Sequence, residues 1–138
     1  MLHSIAFFLI FIQTIFMDIL ILIFKIVIAL GIINVWFFRF NKKTEWRGGG
    51  AGNMNDEFKK YGLPAWFVPV IGFLKSAFAA LLIISIFIDG YQLAFIGAVG
   101  MAILMIGAIG MHIKVKDELK RSLPAFLMLV MSAVIAFA

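Results

Sequence analysis

The sequence predicts an all-α transmembrane four-helix bundle, and three observations carry that prediction. Of its 138 residues, 64% are apolar and only 14% charged, whereas soluble domains carry about 25% charged residues. A compact soluble fold of this size has no interior large enough to hide so much hydrocarbon. The apolar residues are gathered into runs that match the roughly 20 residues a helix needs to cross the bilayer core. The basic residues between those runs fall on alternate connections only. Disorder is excluded by the same composition, since 16 phenylalanines are the opposite of its signature. Strands of a membrane barrel would alternate apolar and polar residues. These runs are apolar on every side, so helices, which satisfy each backbone amide within their own segment, are the structure to expect.

The first 16 residues, MLHSIAFFLIFIQTIF, form an apolar N-terminal extension. Joined to the span that follows, they would give a helix of about 57 Å, nearly twice the bilayer core. The stretch has neither the basic start nor the small-residue cleavage site of a signal peptide. Two readings stand for residues 1–16: a mis-assigned upstream start, or an interfacial helix. A fifth span is the least favoured, being short and at odds with the charge topology. The four-span domain then covers residues 17–138, with Met17-Asp18 as its natural beginning.

The first span covers about Ile19–Phe38, the second Ala65–Ile88, the third Leu93–Ile113 and the fourth Leu123–Ala138. Between the first two lies the only sizeable polar loop, residues 39–63. In it Arg47-Gly-Gly-Gly-Ala-Gly52 precedes Asn53, a helix N-cap with Asp56 at N3, and a short amphipathic helix runs on to Tyr61. Gly62-Leu63-Pro64 should end that helix. Leu123-Pro124 should place proline in the first turn of the fourth span, where its missing amide proton costs nothing.

Orientation follows from charge. Arg39, Lys42, Lys43, Arg47, Lys59 and Lys60 lie in the first loop, and Lys114, Lys116, Lys120 and Arg121 in the third, while the Asp89–Gln92 turn has no basic residue. The positive-inside rule therefore puts both basic loops in the cytoplasm and both termini outside. Trp36, Phe37, Phe38, Trp66 and Phe67 supply an aromatic belt at the same interface. The expected location is the inner cell membrane, with the lipid bilayer as principal partner and no nucleic acid. A small-residue stripe at Ala94, Ala98 and Ala102, with Gly100 and Gly107 on another face, suits a central, closely packed helix and permits a homo-oligomer.

Cysteine is absent and only two histidines occur, so thiol relays, thiolate clusters and His-rich zinc sites find no ligands here. Lys75 is the sharpest chemical feature. It lies about 15 Å into the second span by helical rise, where a lysine costs roughly 2.5–3.5 kcal/mol on insertion scales and should face the bundle interior. It could hold an anionic or carbonyl-bearing ligand; the plainer alternative is a packing lysine bonded to backbone carbonyls or to serine hydroxyls such as Ser76 and Ser85. Lys25, nearer the outer surface, could reach toward Asp18. At the opposite end Asn34, Arg39, His112 and the glycine loop converge at the mouth of the bundle. Successive amides of that loop could form an anion nest beside Arg47, although a flexible or re-entrant cap is the simpler reading. Candidate ligand-binding residues are thus Lys75, His112, Asn34, Arg39 and Arg47, with no metal site and no catalytic residue assigned.

Tyr61-Gly62-Leu63-Pro64 enters the second span and Gly72-Phe73-Leu74-Lys75 lies within it. A glycine-rich third span ends at His112, and Leu123-Pro124 opens the fourth. In that order of features, over about residues 18–138, the chain resembles the DoxX-like family of small four-helix membrane proteins. Many members have a carboxylate where this chain has Lys75, a reversal of charge. The resemblance implies quinone-linked oxidation of sulfur compounds or membrane oxidoreductase complexes for some members, and assembly or ligand-binding roles for others. The expectation is an accessory membrane subunit of a quinone-linked oxidoreductase, with no intrinsic cofactor, a bound quinone, and a soluble or membrane oxidoreductase partner. A non-catalytic binding or assembly protein is the alternative, and a small anion or metabolite carrier a less favoured one. Whether the chain is an enzyme is left open.

Overall fold

The computed structural model describes residues 1–88 and 90–138; Asp89, in the expected second turn, lies outside the described residues. Among the described residues the chain is entirely helical. α1 spans Leu2–Ile33 and runs on through a π-helical turn, Asn34–Phe38; α2 is Met54–Lys60, α3 Phe67–Phe87, α4 Tyr91–Lys114 and α5 Leu119–Phe137. The four long helices are apolar and long enough to cross a membrane. α1 packs on α3, α3 on α4, α4 on α5, and α5 back on α1. Ile28, Leu82, Met101 and Ser132 lie fully buried where these four meet.

Residues 2–16 continue α1 without a break, and every one of them is exposed. Packing against the bundle starts near Ile21 and Phe24 and becomes complete at Ile28, Ala29 and Ile32. The Leu2–Phe38 helix has 37 residues, about 55 Å by helical rise against about 32 Å for α3, so its N-terminal part projects past the far end of the bundle. Lys25 is half-buried and makes no ion pair with Asp18 among the described residues.

α2 has the boundaries its sequence signals. Asn53 Oδ1 accepts from the Asp56 amide at 2.8 Å, an N-cap that satisfies an amide with no partner inside the helix. At the other end Leu63 N donates to Phe58 O and Gly62 N to Lys59 O, with Gly62 at φ 77°. That pair of bonds is the Schellman stop, and the left-handed position at its centre favours glycine. Replacing Asn53 with alanine should cost about 1 kcal/mol, read as a lower thermal midpoint in detergent with the helical circular dichroism of the long spans unchanged.

α5 begins earlier than its apolar run. Glu118 precedes it, and the polar residues Lys120, Arg121 and Ser122 already lie in the helix. Pro124 therefore sits in the second turn rather than the first. Its missing amide proton leaves the Lys120 carbonyl without its usual helical donor, a position near enough to the helix end for water to replace it.

Candidate functional site

The basic end of the bundle is closed by residues 39–63, which fold into a cap organised around one buried cation. Arg47 is only 3% exposed. Its Nη1 donates to Glu57 Oε2 at 2.8 Å, its Nε to the Lys42 carbonyl at 2.9 Å, and its Nη2 to the carbonyls of Arg39 and Phe40. Glu57 Oε1 accepts from the Tyr61 hydroxyl at 2.8 Å and from the Gly48 amide at 3.1 Å. Burial, and then the negative charge of Glu57, push the Tyr61 phenol above its ordinary range, so it stays a proton donor to that carboxylate.

The turn between α4 and α5 clasps this cap. His112 Nδ1 donates to Asp117 Oδ2 at 2.8 Å, and the Asp117 carboxylate accepts from the Gly49 amide at 3.1 Å. Arg121 Nη1 donates to the Arg47 carbonyl at 2.7 Å. Lys114 Nζ donates to the Tyr61 carbonyl at 2.7 Å, placing a cation at the C-terminus of α2, where the helix dipole favours one. The basic residues of the third loop thus hold a cap as well as marking topology. The glycine loop is no open anion nest: the amides of Gly48 and Gly49 are taken by the chain's own carboxylates, Glu57 and Asp117.

Beneath the cap lies a cavity of about 640 Å³, walled mainly by apolar side chains of α1, α3, α4 and α5. Asn34, Arg39, Arg47, Lys75 and His112 all line it. They do not play equal parts. Arg47 is consumed by the cap, whereas Asn34 and Arg39 are exposed and their side chains make no hydrogen bond or ion pair among the described residues. Their place follows from the π-helical turn, in which Arg39 N donates to Asn34 O at 2.8 Å; such turns re-aim side chains at the end of a helix and recur at functional sites.

Lys75 projects from α3 into the cavity wall. Its ammonium lies 5.3 Å from the centre of the Trp36 ring, a cation–π contact, and has no hydrogen-bond acceptor and no ion-pair partner among the described residues. The packing alternative through Ser85 does not occur, because the Ser85 hydroxyl donates to the Leu82 carbonyl at 2.6 Å. Trp36 can lie there because Gly72 has no side chain: a Cβ at that position would stand 2.8 Å from the indole. The Gly72-Phe73-Leu74-Lys75 segment therefore supplies both the cation and the space for the ring beside it.

His112 is 7% exposed, and its ring meets Tyr61 edge-on with centroids 6.1 Å apart. With Nδ1 committed to Asp117, Nε2 is the ring nitrogen left for a ligand, and the ring lines the cavity. Sequence reading missed Glu57, Asp117, Tyr61 and Trp36 as site residues. A signal existed for Asp117, five residues beyond His112 in a turn, but none for Glu57, which reads as a solvated residue of an amphipathic helix.

The arrangement has the makeup of a small-ligand site: a largely apolar chamber of the usual size, with a few fixed polar groups on its wall. No curated protein and no solved structure matches the chain. The sequence profile of the DoxX-like family matches residues 49–135, from the glycine loop through nearly all of α5. That stretch contains α2 with Glu57, Lys75, His112 and Asp117 and covers well over half of the protein, which is therefore a member of the DoxX-like family.

Proposed function

We propose that this protein is a ligand-binding membrane subunit whose cavity takes the carbonyl-bearing head of a quinone, making it an accessory partner of a quinone-linked oxidoreductase at the cytoplasmic face of the cell membrane. The observation that carries this reading is the Lys75 ammonium, which lines a mainly apolar cavity and among the described residues has the Trp36 ring but no hydrogen-bond or ion-pair partner in contact. An ammonium so placed keeps its N–H donors free, and a carbonyl oxygen is the kind of acceptor that an apolar chamber can admit without a second charge. The cavity volume of about 640 Å³ falls within the range of small-molecule sites, roughly 300–1,000 Å³. The residues present fit such a group.

When bound, a quinone would supply two-electron redox chemistry. The chain's own residues hold and orient it. Lys75 donates to one oxygen, and Trp36 fixes the lysine from the side. Asp117 holds His112 in one orientation and leaves Nε2 as the ring nitrogen available to a ligand. The clasped cap excludes water from the basic end.

Mass spectrometry of the protein after mild extraction tests the reading. Wild type should retain a quinone, and Lys75→Met, which keeps most of the side-chain volume, should retain at least tenfold less. Loss of a hydrogen bond from a charged donor costs about 1.5–3 kcal/mol, and each 1.4 kcal/mol is about tenfold in affinity. Wild type without quinone, or equal retention in the variant, ends the proposal. A non-catalytic binding or assembly role is the second reading. It draws support from Lys42, Lys43 and Lys59, exposed on the cap and without ion pairs among the described residues. A quinone-free protein would favour it.

A further inference from the structure

The cavity is largely closed at the basic end and open at its side. Arg47, Tyr61, Met54, Phe58 and His112 form the seal, and all are buried. Other wall residues are exposed: Trp46 at the rim of the cap, Asn34, Val35 and Arg39 at the end of α1, Ile103 and Gly107 on α4, and Pro124 near the start of α5. A residue that both walls a cavity and meets the surroundings marks an opening. Gly107 makes the same point, since a Cβ there would meet nothing within 4 Å. Ile103 lies eleven residues before the end of α4 at Lys114, about 16 Å along the helix, so the exposed wall on α4 reaches the depth of the hydrocarbon rather than that of water.

We infer that the cavity is loaded sideways from the bilayer, through a portal between the end of α1 and the start of α5, by a membrane-dissolved molecule with an apolar body and a hydrogen-bond-accepting head. Asn34 and Arg39 stand at the portal with free donors and engage the head at the interface. Lys75 takes it once inside. The exposed aromatic side chains Phe37 and Phe38 beside Arg39 keep this end of α1 at the level of the lipid headgroups. The cap then serves as a fixed floor that keeps water out, with no need to open. This route rests on the reading of the cavity as a ligand site and adds its direction of access and the lipid solubility of its ligand.

The test exploits a chain that lacks cysteine. In a Trp46→Phe/Trp66→Phe background Trp36 is the sole tryptophan, and it lines the cavity, so its fluorescence reports occupancy. The full-length protein in phosphatidylcholine vesicles is mixed with decylubiquinone, and quenching of Trp36 is followed in time. One form carries Glu45→Cys and Lys120→Cys, bridged by a bismaleimide. The native pair lies 3.4 Å apart at the exposed edge of the cap, so the bridge locks the cap shut. A second carries Val35→Cys labelled with N-cyclohexylmaleimide in detergent before reconstitution, which obstructs the portal. A third carries the same label at Phe87→Cys, an exposed position at the far end of α3, as a control for labelling. The locked cap and the Phe87 control should load at the unmodified rate, and the Val35-labelled form at least tenfold more slowly. Slowing by the cap lock, or full-speed loading past the Val35 label, overturns the inference and leaves the ligand reading intact. Absence of saturable quenching in the unmodified protein instead removes the ligand reading, and this route with it.

Discussion

Arg47→Ala should undo the cap and lower the stability of the protein by about 3–5 kcal/mol, the cost of breaking a buried ion pair from one side. The substitution leaves Glu57 buried without its cation and strips donors from the carbonyls of Arg39, Phe40 and Lys42. The loss should appear as a lower thermal midpoint in detergent and as rapid proteolysis within residues 39–53. The four long spans should keep their helical circular dichroism. Arg47→Lys should restore less than half of the stability, because one ammonium cannot serve a carboxylate and several diverging carbonyls as a planar guanidinium does. Glu57→Gln keeps an acceptor for Tyr61 while removing the charge, so its effect should lie between the two. A melting curve for Arg47→Ala within about 0.5 kcal/mol of wild type, the range of ordinary surface changes, would mean that the cap is held by something else.

Gly97→Leu carries the second large effect, about 2–3 kcal/mol. A Cβ at Gly97 would stand 3.0 Å from the Phe78 carbonyl oxygen and 3.2 Å from atoms of Leu81 and Leu82. The first of these is backbone, which cannot step aside unless α3 and α4 separate, and overpacking of that kind costs roughly 1–3 kcal/mol even before a full leucine is placed. Gly107→Leu provides the internal comparison. It adds the same side chain to the same helix, but at a position facing open space, so stability should change by no more than about 0.5 kcal/mol. Equilibrium unfolding in mixed micelles of both variants decides the matter. Equal destabilisation would show that the α3–α4 approach does not set the cost at Gly97, since leucine is the better helix former at both positions. Gly107→Leu should also crowd the cavity it lines and reduce quinone retention while the bundle stays folded.

The fold was readable because its signals are local. Run lengths of apolar residues count directly against bilayer thickness. The Asn53 cap and the Gly62 stop lie within one helical turn of the amides and carbonyls they satisfy. The small-residue stripe on α4 was readable as a packing face, and Ala94 and Ala98 are buried there. Less of the site was legible. Lys75 stood out because a charge within an apolar run is costly wherever it faces, and Asn34, Arg39 and His112 could be placed at one end by helical rise alone. Trp36 read as part of an interfacial belt, yet it is buried, turned inward by the π-helical turn onto Gly72. Arg47 read as a residue beside a nest and proved to be the centre of the cap. Pro124 read as a first-turn proline because the apolar run begins there, whereas the helix begins at Leu119.

Composition and order alone determined that this chain lives in a bilayer as helices, which of its segments span, and which loops share a side. Those properties depend on hydrophobicity and charge summed along a single segment. Only the tertiary structure decided which carboxylate meets which cation. Glu57 pairs with Arg47 across ten residues, and Asp117 reaches Gly49 across sixty-eight. Contacts of that kind need two distant stretches of chain to arrive with matching donors and acceptors in a place without water, and nothing in either stretch alone specifies the other. The same holds for the cavity, whose walls come from four helices and the cap together.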